Sequence, residues 1–130
     1  MRKPLEFLDH PVPFPGSPTY RAFCRHVVDG DTVDLLVDVG LFQYAYVTVR
    51  LTVDAPELYS RDPIMRDRGI AAQQYLRSLL HNRQCLIQTR KDVQTFGRFV
   101  AEIFVYEETR VISIADALVD AGHAIRRGTT

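Results

Sequence analysis

The sequence predicts an α+β domain: a small five-stranded β-barrel with one helix between the third and fourth strands and one after the fifth. Three observations carry this. Five short segments read as strands, and the second, third and fifth alternate apolar and polar residues with the period of two that a half-buried strand shows. A single stretch between the third and fourth of them has helical spacing instead. Strands and helices do not alternate one for one, as a parallel sheet of βαβ units would require.

The elements follow in order. Residues 1–18 hold five of the seven prolines, which remove amide donors and fix φ, so an extended arm is expected there and a folded domain over 19–130. Phe23 to Val28 reads as the first strand and ends in the turn Asp29-Gly30-Asp31-Thr32. Val33, Leu35, Val37 and Val39 form the apolar face of the second strand, which Gly40 breaks. In the third, Val47, Val49, Leu51 and Val53 share one face and Thr48, Arg50, Thr52 and Asp54 the other, until Ala55-Pro56 stops it. A polar loop is expected through Arg68. Ala72, Tyr75, Leu76, Leu79 and Leu80 then set a helix over about Gly69–His81. Cys85–Arg90 is the fourth strand, a loop carries Phe96-Gly97-Arg98, and Phe99–Val105 is the fifth. Ser113 to Asp116 has the form of a capped helix start, and Gly122 of its C-terminal cap. This order fits a Greek-key barrel of the OB type.

Composition excludes several alternatives. With 130 residues, 46% apolar and 25% charged, the chain suits one domain with one core, not a disordered, collagenous or disulfide-dense protein. No apolar run approaches the ~20 residues a bilayer span needs, and Glu6 and Asp9 interrupt any signal-peptide stretch. The expectation is a soluble protein without a membrane partner or an obligate protein partner, with the cytoplasm favoured. Cys24 and Cys85 lack metal-ligand spacing and are expected as buried free thiols. The four histidines are scattered and carry no expected role.

Formal net charge is zero, but its distribution is uneven. His26–Glu57 has six acids against the single base Arg50, whereas Arg61–Arg98 has eight bases against three acids. Hard divalent cations take carboxylate and carbonyl oxygens, and Asp31 and Asp54, from separate elements, can converge on one ion. A third carboxylate, Glu57, is placed to orient or deprotonate a water. Arg50 shares its strand face with Asp54, four residues on, so both can meet one phosphate. Taken singly, each of these residues also has an ordinary structural explanation in turn chemistry, a strand stop or an ion pair.

Together, Val28-Asp29-Gly30-Asp31-Thr32, Val49 to Glu57, Phe96-Gly97-Arg98 and Ala117 to Gly122 resemble the staphylococcal nuclease-like (thermonuclease) family, in the family's order and over about Cys24–Ile125. The resemblance implies an OB barrel that cleaves DNA or RNA phosphodiesters with bound Ca2+ and leaves 3′-phosphate ends. It implies Asp31, Asp54 and the Ala55 carbonyl as metal ligands, and Glu57 as the group acting on water. Arg50 and Arg98 would be the catalytic and substrate-binding arginines, with Phe96 also on the substrate. Oxygen ligands suit Mg2+ or Mn2+ as well. The sequence departs from the family in having one residue fewer between Arg50 and Asp54, phenylalanine at Phe96 where tyrosine is usual, and Thr95 where lysine is common. With regular pairing the shorter spacing keeps Arg50 and Asp54 on one face. The basic stretch from Arg61 to Arg98 would face the nucleic-acid backbone.

The leading expectation is thus a calcium-dependent nuclease. The alternative is a catalytically weak or inactive OB-fold module that binds single strands on exposed aromatics. Tyr44, Tyr46 and Tyr59 are candidates for that, although core packing is the expected role of Tyr44 and Tyr46 if their strand face turns inward. An assembly role for the Pro-rich arm is a third reading.

Overall fold

The computed structural model describes residues 18–91 and 99–127. Its elements are β1 (Thr19–Asp29), β2 (Thr32–Gly40), β3 (Gln43–Leu51), β4 (Val53–Asp54), α1 (Pro63–Leu80), β5 (Gln84–Lys91), β6 (Phe99–Glu107), β7 (Arg110–Ser113), α2 (Ile114–Asp120) and β8 (Ile125–Arg126). β1, β2 and β3 form an antiparallel meander, and β5 returns against β1. β6 pairs antiparallel with β5 and parallel with β3, through Val49↔Phe99, Arg50↔Val100 and Leu51↔Ala101. That last pairing closes a five-stranded mixed barrel, the OB architecture expected from the sequence.

Alternation fills the barrel as the pattern requires. Val33, Leu35, Val49, Leu51, Ile87, Ala101 and Ile103 are fully or almost fully buried inside it, and α1 covers it with Leu76 and Leu80. Gln73 of α1 donates from Nε2 to the carbonyls of Val27 and Val28, at 3.3 and 3.2 Å, where the β1–β2 register slips. The carbonyls at this irregularity thereby gain a side-chain donor. Cys24 and Cys85 are buried free thiols, as expected, and burial pushes them up to about 11 and about 12.

Several boundaries differ from the expectation. β1 begins at Thr19, earlier than Phe23. The third strand does not run unbroken to Asp54: the chain bends at Thr52, and Val53–Asp54 pairs with β8 instead. α1 starts at Pro63, well before Gly69, because Asp62 caps it by accepting from the Ile64 N–H at 3.0 Å and Pro63 occupies the first turn. The first turns were illegible by burial because Ile64 and Met65 face solvent. A short strand, β7, intervenes between the fifth barrel strand and the last helix. α2 is capped as predicted: the Ser113 side chain accepts from the Asp116 N–H. At its other end, Gly122 at φ +79° and His123 donate back to Val119 and Leu118. Of the expected N-terminal arm, only Pro18 falls among the described residues.

Candidate active site

The β1–β2 turn carries the first acid. Asp29 accepts the Asp31 N–H at 3.0 Å, an Asx-type turn that fixes the backbone. The Asp31 carbonyl accepts from the Leu51 N–H at 2.8 Å, which fastens the turn to the end of β3. Asp31 itself is buried, and its two carboxylate oxygens accept from the Thr32 hydroxyl at 3.1 Å and the Ala55 N–H at 3.0 Å. Burial is the main cause that raises its pKa, reinforced by Asp29, while the Ala55 amide and Arg50 oppose the rise.

Arg50 leaves β3 on the outward face and donates through Nη2 to Asp54 Oδ1. The same nitrogen stands 3.7 Å from Asp31 Oδ2. The two acids from separate elements therefore converge on one cationic nitrogen, and the short Arg50–Asp54 spacing keeps both on one side of the chain despite the bend. Among the described residues, Arg50 Nε is buried without a hydrogen-bond partner. Such a group is costly unless a further acceptor reaches it.

Two close approaches hold these parts together. A Cβ on Gly30 would lie 2.7 Å from the Cβ atoms of both Ala55 and Ala72, so only glycine lets the turn nest between the Asp54–Ala55 segment and α1. A Cβ on Gly69 would lie 2.5 Å from the Glu57 carbonyl oxygen and 2.9 Å from that of Pro56. The Pro56–Glu57 backbone is thus pressed onto α1, while Glu57 is exposed.

The structure brings together Asp31, Arg50, Asp54 and Ala55, the last through its backbone N–H. Glu57 lies on the adjoining segment, exposed to solvent. Arg98 and Phe96 fall outside the described residues, but Phe99, the first described residue after them, is paired with Val49 beside Arg50. Sequence reasoning missed Arg127, whose Nε stands 3.8 Å from Asp54 Oδ1. It also missed Glu102, which is buried on β6, accepts from the Thr52 hydroxyl and pairs with Arg126 at 3.4 Å. The Arg126-Arg127 doublet after α2 was the available signal for both.

The condition for core packing of Tyr44 and Tyr46, an inward-turned strand face, is not met. They are exposed, not core, because the even-numbered residues of β3 face outward with Arg50. Tyr59 is also exposed, ahead of α1. A groove of about 700 Å³ lined by Arg21, Phe23, Asp38, Tyr44 and Phe104, among others, runs over the barrel elsewhere; Asp31, Arg50 and Asp54 do not line it. The groove is therefore not the site of the acid–arginine chemistry.

Among the described residues no group of three or more His, Cys, Asp or Glu side chains is arranged to hold a metal ion. No helix among them is long and apolar enough to cross a membrane. The donor set at Asp31 and Asp54 nevertheless fits a hard cation: two carboxylates face one point, where a guanidinium already sits as counter-ion.

Comparison with curated proteins gives no match. Residues 48–128, more than half of the chain, match the family described as staphylococcal nuclease homologue. The stretch runs from β3 through both helices to the basic doublet and takes in Arg50, Asp54 and Glu57. With the closed barrel around it, this protein belongs to the staphylococcal nuclease homologue family.

Proposed function

We propose that the protein is a calcium-dependent phosphodiesterase that hydrolyses DNA or RNA and leaves 3′-phosphate ends. The observation that carries the reading is the convergence of Asp31 and Asp54 on Arg50 Nη2. Family membership supports a nucleic-acid substrate.

In this reading Asp31, Asp54 and the Ala55 carbonyl would hold the cation. The bound ion supplies charge neutralisation at the phosphate. Mg2+ or Mn2+ would suit the same oxygen donors. Arg50 would bind the phosphate, and Arg98 would be the second arginine to neutralise its charge. Glu57 would accept a proton from the attacking water as the water oxygen bonds to phosphorus and the bond to the 5′-oxygen breaks; the 5′-oxygen takes a proton from solvent and the phosphate stays on the 3′-oxygen. The arginines Arg61, Arg66 and Arg68, exposed around the start of α1, offer the nucleic-acid backbone countercharge beside Glu57.

The test is digestion of end-labelled DNA and RNA oligonucleotides with calcium, magnesium, manganese or EDTA. Cleavage that requires calcium and yields 3′-phosphate ends is expected. Binding without metal-dependent cleavage would replace this reading with that of a non-catalytic OB-fold binding module.

A further inference from the structure

We propose that Arg127 is a further phosphate-binding residue of this site, placed beside Arg50 by the strand that follows α2. The inference rests on the nucleic-acid reading above and deepens it by adding a residue that grips the substrate. Ile125 and Arg126 of β8 pair with Asp54 and Val53, so the chain that leaves α2 returns to the short segment carrying Asp54. Arg127 extends this register, because its N–H donates to the Thr52 carbonyl at 3.2 Å.

Successive side chains of a strand point to opposite faces, and the Arg126-Arg127 doublet divides accordingly. Arg126 turns to Glu102, Asp116 and the Thr52 hydroxyl, contacts that tie β6 and α2 to the bend. Arg127 shares the face of Ile125 and hence of Asp54, the register partner of Ile125. Its Nε stands 3.8 Å from Asp54 Oδ1, the oxygen that also accepts from Arg50 Nη2. At that length the contact is Coulombic and not a hydrogen bond. One carboxylate oxygen is thus bracketed by two guanidinium groups. The side chains of Arg127 and Arg50 are 20% and 27% exposed, whereas that of Asp54 is 45% exposed. Both cations are held partly out of water, where their charge acts more strongly, around the more open acid.

That bracket has the dimensions of a phosphate clamp. Because both nitrogens approach one oxygen, they are at most roughly 7 Å apart. Two N–H···O bonds of roughly 2.9 Å, made to two oxygens of one phosphate, span a similar distance. A phosphate oxygen brought to Arg50 is therefore within reach of Arg127. The occupant is anionic for the reason that Asp54 itself is held there: two positive charges converge on one point. Guanidinium groups match phosphate oxygens in particular, and phosphoryl transfer asks chiefly for charge and positioning at the phosphate.

The experiment measures anisotropy of a labelled, cleavage-resistant phosphorothioate oligothymidylate with the full chain, in calcium, over a series of salt concentrations. Each phosphate contact to a single strand contributes about 0.7 to the slope of log K against log salt. Arg127→Gln should weaken binding by about tenfold and lower the slope by about 0.7, whereas Arg127→Lys keeps the slope. Arg110→Gln, at an exposed position beyond the far end of β6 from Phe99, should change neither. Calorimetry with calcium alone supplies a second readout. With a neighbouring cation removed, Arg127→Gln should bind calcium as tightly as wild type or more tightly. The backbone bond from Arg127 to Thr52 survives the substitution, so a melting temperature close to wild type is expected. A wild-type slope in Arg127→Gln, or an equal fall in Arg110→Gln, would overturn the contact. So would weaker calcium binding by Arg127→Gln, since Arg127 would then only support Asp54. Failure of wild type to bind the strand at all would instead sink the nucleic-acid reading and this contact with it. Absence of cleavage of the unmodified strand by wild type counts against the catalytic reading alone, because the slope reports binding.

Discussion

Arg50 and Asp54 are joined side chain to side chain across the bend at Thr52, and the nitrogen that joins them also faces Asp31 at 3.7 Å. In the absence of a divalent ion this guanidinium is the counter-ion of both carboxylates. Removing it leaves a buried acid and its neighbour facing each other. Arg50→Ala is therefore expected to lose roughly 1–2 kcal/mol of stability in EDTA. Calcium should then raise the melting temperature more in the variant than in wild type, because the ion no longer competes with an internal cation. Equal calcium shifts in the two proteins would show that Arg50 is not the counter-ion. Cleavage should be lost in the variant regardless, since the phosphate contact proposed for Arg50 would be gone.

Gly69 is a second point at which one atom decides. Alanine in a helix interior is favoured over glycine by about 1 kcal/mol, so Gly69→Ala would stabilise an unobstructed α1. Here the added methyl would meet the Glu57 carbonyl oxygen at 2.5 Å and its carbon at 2.7 Å, both backbone atoms. The overlap outweighs the propensity gain, and a net loss of about 1–3 kcal/mol is expected. Urea unfolding reads the sign. A more stable Gly69→Ala would mean that the Pro56–Glu57 segment yields without cost and that α1 does not fix it.

Much of this arrangement was legible in the sequence, for identifiable reasons. Period-two alternation located the second, third and fifth barrel strands, since each has one face in the core, and Ser113 and Gly122 marked both ends of α2 by cap chemistry. Asp31 and Asp54 were legible as a convergent pair only through order and motif. The tertiary link between them is the Asp31–Leu51 and Asp31–Ala55 hydrogen bonds, which no local pattern encodes. The start of α1 was missed because Ile64 and Met65 face solvent and break the apolar periodicity, although Asp62-Pro63 carried the signal. For Tyr44 and Tyr46 the sequence left the face of the strand open, and their parity with Arg50 makes it the outward one. Glu102 reads as an ordinary outward residue of β6, and only the return of Arg126 across Thr52 makes it a buried ion pair.

That ion pair makes its own prediction. Glu102 is 5% exposed, and Arg126, which also reaches Asp116, stands 3.4 Å from it. Arg126→Ala leaves a buried carboxylate with the Thr52 hydroxyl alone, and should cost about 1–3 kcal/mol. In a Glu102→Gln background the same change should cost at least about 1 kcal/mol less, the coupling expected of residues in one network. A double-mutant cycle in urea measures it. Since β8 pairs with β4 at Asp54↔Ile125, the variant should also weaken the calcium-dependent rise in melting temperature. Additive losses, with the calcium response intact, would reduce the Arg126–Glu102 contact to a surface feature.

Glu57 separates catalysis from binding. Its backbone is held against Gly69 and its side chain is exposed, so Glu57→Gln should leave stability unchanged. Glutamine keeps the size and the hydrogen-bonding capacity but cannot accept a proton from water. If Glu57 acts only as the attacking water's bond to phosphorus forms, its loss lowers turnover and leaves substrate affinity alone. The expected outcome is at least a ~100-fold drop in cleavage rate at saturating calcium, comparable to removal of one transition-state contact. Metal-free binding of the same oligonucleotide should stay within about twofold of wild type. Arg98→Ala should show a similar drop in rate but also weaker binding, because the phosphate contact proposed for it would exist before the transition state as well as in it. An undiminished rate in Glu57→Gln would move the water-activating role to another group while leaving the metal and arginine assignments in place. A parallel loss of rate and binding would instead make Glu57 a substrate contact, and the proton acceptor would have to be sought among the residues around Arg50.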